Sequence, residues 1–380
     1  MPLQALKFRP GVSRDNTTLA NEGGWYECDK VRFRSGFPEK IGGWAADTGA
    51  NTDPLPPPSG SFWGVCRSMW NWISLKGRNY VSLGTNLKLY IQDSSDSDVV
   101  DITPLRATST IGSNAFTTTN TSTTVVVNDT AHGAQNGDFI VISGVSGAVN
   151  GIPDTDLNTE FRVTYIDANT FSIEVATPAT SSGTTGACVI AYQITTGSAI
   201  YTTAAGWGAG GWSGVTTGFA STGWGESAAT GVGVDLRLWS QINYGEYLLA
   251  NDRGGAIYLW APATSPSTVY RAQVLSSSNV NTQDSIAYWT TDSSCPSVCN
   301  IVHVSDSSRF VIAFGCNDYG VPEINPLLIR WSDQEDYSTW APAITNQAGS
   351  FTLSSGSEIV AIKPQRQEIL VFTDAALYSM

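Results

Sequence analysis

Three stretches of this 380-residue chain carry side chains that could do chemistry. The first is Cys295-x3-Cys299-x3-His303, with Cys316 further on. Thiolates and a neutral imidazole can close a tetrahedron around zinc. The spacing is not that of a standard zinc knuckle, however, and Ile301-Val-His-Val reads as a strand that turns His303 to one face. The competing reading is three buried cysteines and a surface histidine, with or without a local Cys295–Cys299 disulfide. The second stretch, Asp93-Ser-Ser-Asp-Ser-Asp, has the acidic density of a calcium loop. It lacks the central glycine and distal glutamate that make such a loop converge its oxygens, so a solvated acidic loop is expected. The third is Trp331-Ser-Asp-Gln-Glu-Asp-Tyr. Its carboxylates Asp333, Glu335 and Asp336 could divide acid and base work on a glycosidic bond. The same residues suit a capped turn, because Ser and Asp bond backbone N–H groups. The chain has two histidines, His132 and His303, which leaves few ways to build a Ser/His/Asp triad. No P-loop, GxGxxG or basic stripe occurs. No enzyme activity, metal or cofactor is expected.

What would position any such residues is a repeated β unit. Glu246-Tyr-Leu-Leu-Ala-Asn-Asp-Arg-Gly-Gly-Ala-Ile-Tyr reads acid, apolar strand, polar turn, small residues, apolar residue, tyrosine. Glu368-Ile-Leu-Val-Phe-Thr-Asp-Ala-Ala-Leu-Tyr repeats that order. Arg78-Asn-Tyr-Val-Ser-Leu-Gly-Thr-Asn-Leu-Lys-Leu-Tyr is a third copy, with a base in place of the acid. A hairpin recurring along a chain marks a repeated β unit, and the spacing fits blades of a β-propeller. The expected fold is all-β, a propeller carrying an inserted small β-barrel. The work of such a scaffold lies in its loops and its assembly.

Composition agrees with that class. The chain carries 33 acidic against 20 basic residues, a formal net charge of −13, and only 14% of its residues are charged. Abundant Ser, Thr, Gly and aromatics suit a virion or extracellular surface better than a helical cytosolic enzyme. The acidic balance argues against gripping DNA through counterion release. It leaves room for DNA to slide past an unsticky wall. No apolar run could span a bilayer, and Met-Pro-Leu-Gln-Ala-Leu-Lys is too polar for a signal peptide. Release by cell lysis is then one way out. The six cysteines are too scattered for a disulfide framework, which points to synthesis in a reducing compartment.

Three regions follow along the chain. Residues 1–102 hold an N-terminal segment, in which Val31, Phe33 and Phe37 read as a strand with one buried face, and then the first propeller strands. Residues 103–195 lose tryptophan and gain Thr, Val and Asn, the texture of a separate small β-barrel. Excising residues 106–193 should leave a folded remainder. Residues 196–380 supply the remaining blades. Their glycine-rich loop at 206–225 presents Trp207, Trp212 and Trp224, and earlier strands offer Trp63, Trp70 and Trp72. These six are the interface candidates, since aromatic side chains dominate interface energetics. The last residues stop inside the third tyrosine hairpin, which suggests a chain cut short or a partner supplying the missing edge.

Asn21-Glu-Gly-Gly-Trp-Tyr-Glu-Cys-Asp-Lys-Val-Arg-Phe-Arg-Ser-Gly-Phe-Pro-Glu-Lys-Ile-Gly-Gly-Trp resembles the opening of tail nozzle, or tail hub, proteins of short-tailed, podovirus-type bacteriophages. Leu238-Trp-Ser-Gln-Ile-Asn-Tyr-Gly-Glu-Tyr-Leu-Leu-Ala-Asn-Asp-Arg-Gly-Gly-Ala-Ile-Tyr-Leu-Trp and Arg330-Trp-Ser-Asp-Gln-Glu-Asp-Tyr-Ser-Thr-Trp resemble later stretches of the same proteins. Within the insert, His132-Gly-Ala, Gly137-Asp-Phe-Ile-Val-Ile-Ser-Gly and Ile166-Asp-Ala-Asn-Thr-Phe are similar to an FCCH-type β-barrel. The resemblance implies a structural virion protein of the phage tail, assembled in the host cytoplasm. It implies a homo-oligomeric ring, six copies below the portal-adaptor ring, in contact with tail fibres or distal tail proteins. Genomic DNA would pass through its channel without specific binding. We expect that channel's wall to be acidic or neutral, with 93–98 and 333–336 as candidate loops. Similar proteins continue past the position of Met380, where gating elements often lie. The alternative is a carbohydrate-binding β-propeller, a receptor-binding or lectin-like module whose loop tryptophans stack on sugar rings. Closed ring assembly discriminates the two.

Overall fold

The repeated hairpins are the second and third strands of three antiparallel sheets. The computed structural model describes residues 9–14, 17, 19, 22–41, 62–75, 77–93, 99–195, 238–262, 271–275, 294–306, 308–366 and 368–380. It divides into two compact units, Met1–Thr48 and Gly49–Met380. The compact division thus falls near residue 48, and the segment 103–195 belongs to the larger unit.

In the first unit, Val31–Arg34 pairs with Phe37–Lys40. Ser35 and Gly36 both take positive φ, 52° and 85°, the backbone of a type I′ turn that matches strand twist. Trp25 meets Phe33 edge-on at 5.9 Å, while Phe37 is exposed. The buried face expected of Val31, Phe33 and Phe37 therefore loses its third member.

In the second unit, four sheets follow one another. Sheet I runs in order Cys66–Ile73, Asn79–Thr85, Leu89–Asp93, Val99–Asp101. Sheet II runs Trp239–Tyr244, Tyr247–Asp252, Ile257–Trp260, Gln273–Val274. Sheet III runs Cys299–Val304, Val311–Asn317, Ile324–Trp331, Gly349–Thr352. Sheet IV has Ile359–Pro364, Ile369–Thr373 and Leu377–Ser379. Every sheet is a plain meander, and each buries one face on the next. Trp72, Tyr80, Leu89 and Ile91 of sheet I pack with Trp239, Leu248, Tyr258 and Trp260 of sheet II. Ile242, Leu249 and Leu259 pack with Val302, Val311, Cys316 and Leu328 of sheet III. Ile312, Phe314 and Ile329 pack with Ile359, Ile369 and Val371 of sheet IV.

Period-two alternation explains how one strand serves two neighbours. Along Trp239–Tyr244, Trp239 faces sheet I, whereas Ile242 and Tyr244 face sheet III. Sheets I and II pack tightly at Gly84, where a Cβ would lie 2.6 Å from the Trp239 ring. The Trp239 indole N–H donates to the carbonyl of Thr85 at 2.6 Å. Polar stitches cross between sheets as well. Ser240 Oγ donates to Val302 O at 2.8 Å and accepts from Val302 N at 3.2 Å.

Residues 105–193 form two further sheets over a core of their own, which includes Phe116, Val127, Ile140, Phe161, Phe171 and Ile190. One sheet orders Glu160–Arg162, Phe139–Ser143, Cys188–Gln193 and Leu105–Ile111. The other orders Thr164–Asp167, Thr170–Glu174, Thr124–Asn128, Phe116–Thr118 and Gly183–Thr185. The described strands leave these as two sheets, not one closed barrel, and sheets I–IV as a succession, not a closed ring. The fold is all-β, and the helix among the described residues is one turn, Asp154–Leu157. Among them no helix is long and apolar enough to cross a membrane.

Candidate functional site

The leading strand of each of the four sheets lies at one end of its sheet's strand order, with one strand paired to it among the described residues. Those four strands come together around a cleft of about 440 Å³. Ser68 and Trp70 come from sheet I, Trp239 to Ile242 from sheet II, Asn300 to His303 from sheet III, and Val360 to Pro364 from sheet IV. Arg253, from the turn after the second strand of sheet II, completes the wall. The cleft exists because each leading strand lies beside the next, as Ser240 and Val302 do through their paired hydrogen bonds.

Its electrostatics differ from those of the whole chain. Arg253, Lys363 and His303 line it, and among the described residues no carboxylate does. Neither Arg253 nor Lys363 has an ion-pair partner among them. Burial holds His303 below the usual histidine value, against a weaker upward pull from Asp306, so the imidazole is neutral near pH 7. Gln241 is nine-tenths buried in the wall, and among the described residues neither its amide nitrogen nor its amide oxygen has a hydrogen-bond partner.

The four-residue zinc candidate does not hold together. Cys295, Cys299 and Cys316 are buried in the core between sheets II and III, with Cys299 opposite Cys316 across two strands. Val302 and Val304 face that same core, so alternation sends His303 to the other side, into the cleft. Burial pushes Cys316 up to about 12 and Cys299 well above its ordinary value, whereas a metal needs thiolates. Among the described residues no group of three or more potential ligands is placed to hold a metal.

Asp333 and Asp336 serve a turn. Asp336 accepts from Ser338 N, Ser338 Oγ and Thr339 Oγ1 at 2.7, 2.6 and 2.7 Å. Burial works against its charge, but these bonds outweigh it and hold Asp336 below the usual carboxylate range. Asp333 Oδ1 accepts from Gln334 N and Gln347 N, both at 2.8 Å. His132 is likewise committed: one ring nitrogen accepts from Ala134 N at 2.9 Å and the other donates to Asp167 O at 2.9 Å.

The tryptophan candidates divide. Trp72 is buried between sheets I and II, and its indole N–H donates to Glu246 O at 3.2 Å. It is spent inside the chain, which removes it from the interface set. Trp70 is half-buried and donates to Asn243 Oδ1 at 3.2 Å. Trp63 packs on Phe139 of the insert at 5.5 Å, with the Arg162 guanidinium over its ring. Trp207, Trp212 and Trp224 lie outside the described residues, as do residues 94–98 of the acidic loop.

One functional-looking cluster had no sequence signal. Lys88, on the turn into the third strand of sheet I, is fully buried. Its ammonium lies 2.7 Å from Glu160 Oε2 of the insert and 3.1 Å from Asp101 Oδ2, and sits over the Phe139 ring at 4.5 Å. Arg271 reaches Asp101 at 3.2 Å and Glu160 at 3.9 Å, and the Gln193 amide also bonds Glu160. Two cations and two carboxylates thus join sheets I and II to the insert.

No protein-family model matches the chain, and no curated protein matches it. Among solved structures, the phage phi92 endosialidase is similar over 81% of this chain and 40% of its own length, at 12% identity and a TM-score of 0.24. That likeness is too loose to carry a function across.

Proposed function

We propose that this chain is a structural virion protein, a protomer of the tail nozzle ring of a short-tailed phage, and that it does no chemistry of its own. Sheets I–IV are read as consecutive propeller blades and residues 103–195 as a decorating barrel. The observation that carries the proposal is where the resembling stretches fall. Leu238 to Trp260 makes the leading hairpins of sheet II, and Arg330 to Trp340 makes the end of a sheet III strand and its capped turn. They are scaffold elements, and Asp333, Asp336 and His132 among the motifs are tied up in turns. A ring of such protomers needs heterologous contacts, one patch meeting a different patch on the neighbour.

Sedimentation velocity of the full chain tests this. A closed oligomer of defined size is expected, and Trp207→Ala with Trp212→Ala should weaken it while leaving the fold intact. A monomer at every accessible concentration contradicts the proposal. So does turnover of bacterial polysaccharide or peptidoglycan that is lost on changing Asp333, Glu335 or Asp336.

A further inference from the structure

The cleft between the four leading strands has properties that a scaffold does not need. Its volume, about 440 Å³, is in the range of pockets that enclose small molecules. Its charge runs against that of the chain. With 33 acidic residues against 20 basic ones, a hollow lined, among the described residues, by two unpaired cations and no carboxylate is a local reversal, and such a reversal concentrates anions.

Gln241 adds a second, independent observation. Its amide nitrogen and oxygen are both buried and both without a partner among the described residues, although native structures leave few such groups and each calls for a reason. The side chain can be satisfied by a turn toward the cleft once something there offers an acceptor and a donor. A hydroxyl does both, whereas a bare carboxylate only accepts. Trp70, Val360 and Ile362 give the same hollow an apolar side against which a carbon skeleton can rest.

We propose that this cleft binds a small hydroxylated organic anion, the size of a single acidic sugar ring. Gln241 meets its hydroxyls and Arg253 and Lys363 meet its charge. The proposal stands apart from ring assembly, since a ligand in the cleft neither requires nor prevents a neighbouring protomer.

The test uses the full chain and D-glucuronate, with D-glucose and acetate as controls, read by calorimetry and tryptophan fluorescence. Saturable binding of glucuronate is expected, tighter than either control. Gln241→Met should weaken it about tenfold, the worth of a good hydrogen bond. The same variant should raise the melting midpoint of the free protein, because an orphaned amide is gone. Arg253→Gln with Lys363→Gln should erase the preference for glucuronate over glucose. The proposal is overturned if glucuronate shows no saturable binding, or if acetate binds as tightly. It is also overturned if Gln241→Met binds like the parent, or if that variant melts lower, which would make the amide a structural group.

Discussion

Replacing Lys88 with methionine should destabilise the chain more than most single changes. The ammonium is fully buried against Glu160 Oε2 at 2.7 Å and Asp101 Oδ2 at 3.1 Å. Removing one partner of a buried ion pair typically costs about 3–5 kcal/mol, because it strands the other charge. Here two carboxylates lose a cation. Arg271 stays 3.2 Å from Asp101 but 3.9 Å from Glu160 and is one-quarter exposed, so it offsets the loss mainly at Asp101. Methionine keeps an apolar stem on Phe139, so little packing is lost. The net expectation is about 3 kcal/mol, or a fall in melting midpoint of roughly 4 °C for a unit of this size. Thermal and urea melts near pH 7 measure it. The double change Lys88→Met/Glu160→Met removes the stranded carboxylate. It should therefore cost about 2 kcal/mol less than the sum of the single changes. A Lys88→Met cost below about 1 kcal/mol, or simple additivity, would refute the argument. Excising residues 106–193 takes away Glu160 and Gln193 and uncovers Lys88 and Trp63. The remainder should still melt cooperatively, but below the intact chain.

Other expectations follow from single sites. His303 is held below the usual histidine value by burial, so the unfolded chain takes up the proton first as pH falls. Its stabilising share is complete above about pH 6.5 and drains as pH drops toward the folded value. His303→Gln should flatten the urea-midpoint profile between about pH 7.5 and about pH 5.5, and an unchanged slope would contradict the assignment. Gly84→Val should cost about 1–3 kcal/mol, since a Cβ there meets the Trp239 ring at 2.6 Å; a neutral result would mean that sheets I and II can shift apart. Exposed Cys66 should react readily with a thiol reagent in the native state. Burial raises the thiols of Cys188, to about 11, and of Cys316, to about 12, so both should react only on unfolding; fast native labelling of either would count against the packing described.

Much of the fold is legible because hairpins advertise themselves locally. The tyrosine sentence marks the second and third strands of sheets I, II and IV, where Leu83 pairs with Tyr90, Ala250 with Tyr258 and Val371 with Tyr378. Sheet III escapes it. Its hairpin connection, between Asn317 and Ile324, is longer, so the repeat length breaks. The texture change near residue 103 is equally local, and Pro104 and Ile194 do lie together through a backbone hydrogen bond of 3.0 Å. The candidate sites were harder to read because they depend on which face a residue takes. His303 shares a strand with Cys299 yet faces the cleft, and Trp72 is buried by a sheet that begins at Trp239. Lys88 and Glu160 stand 72 residues apart in sequence. Their pairing, like the gathering of four leading strands around Gln241, is created by the way the sheets stack and has no signature in any one stretch.

Cryo-EM of the purified assembly tests the central claim most directly. A closed ring of identical protomers, six by the resemblance, is expected around an open bore wide enough for duplex DNA. The side chains lining that bore should be acidic or neutral, since screening confines their effect to roughly 10 Å. Particles containing a single copy, or a ring whose bore is lined chiefly by Lys and Arg, would contradict it.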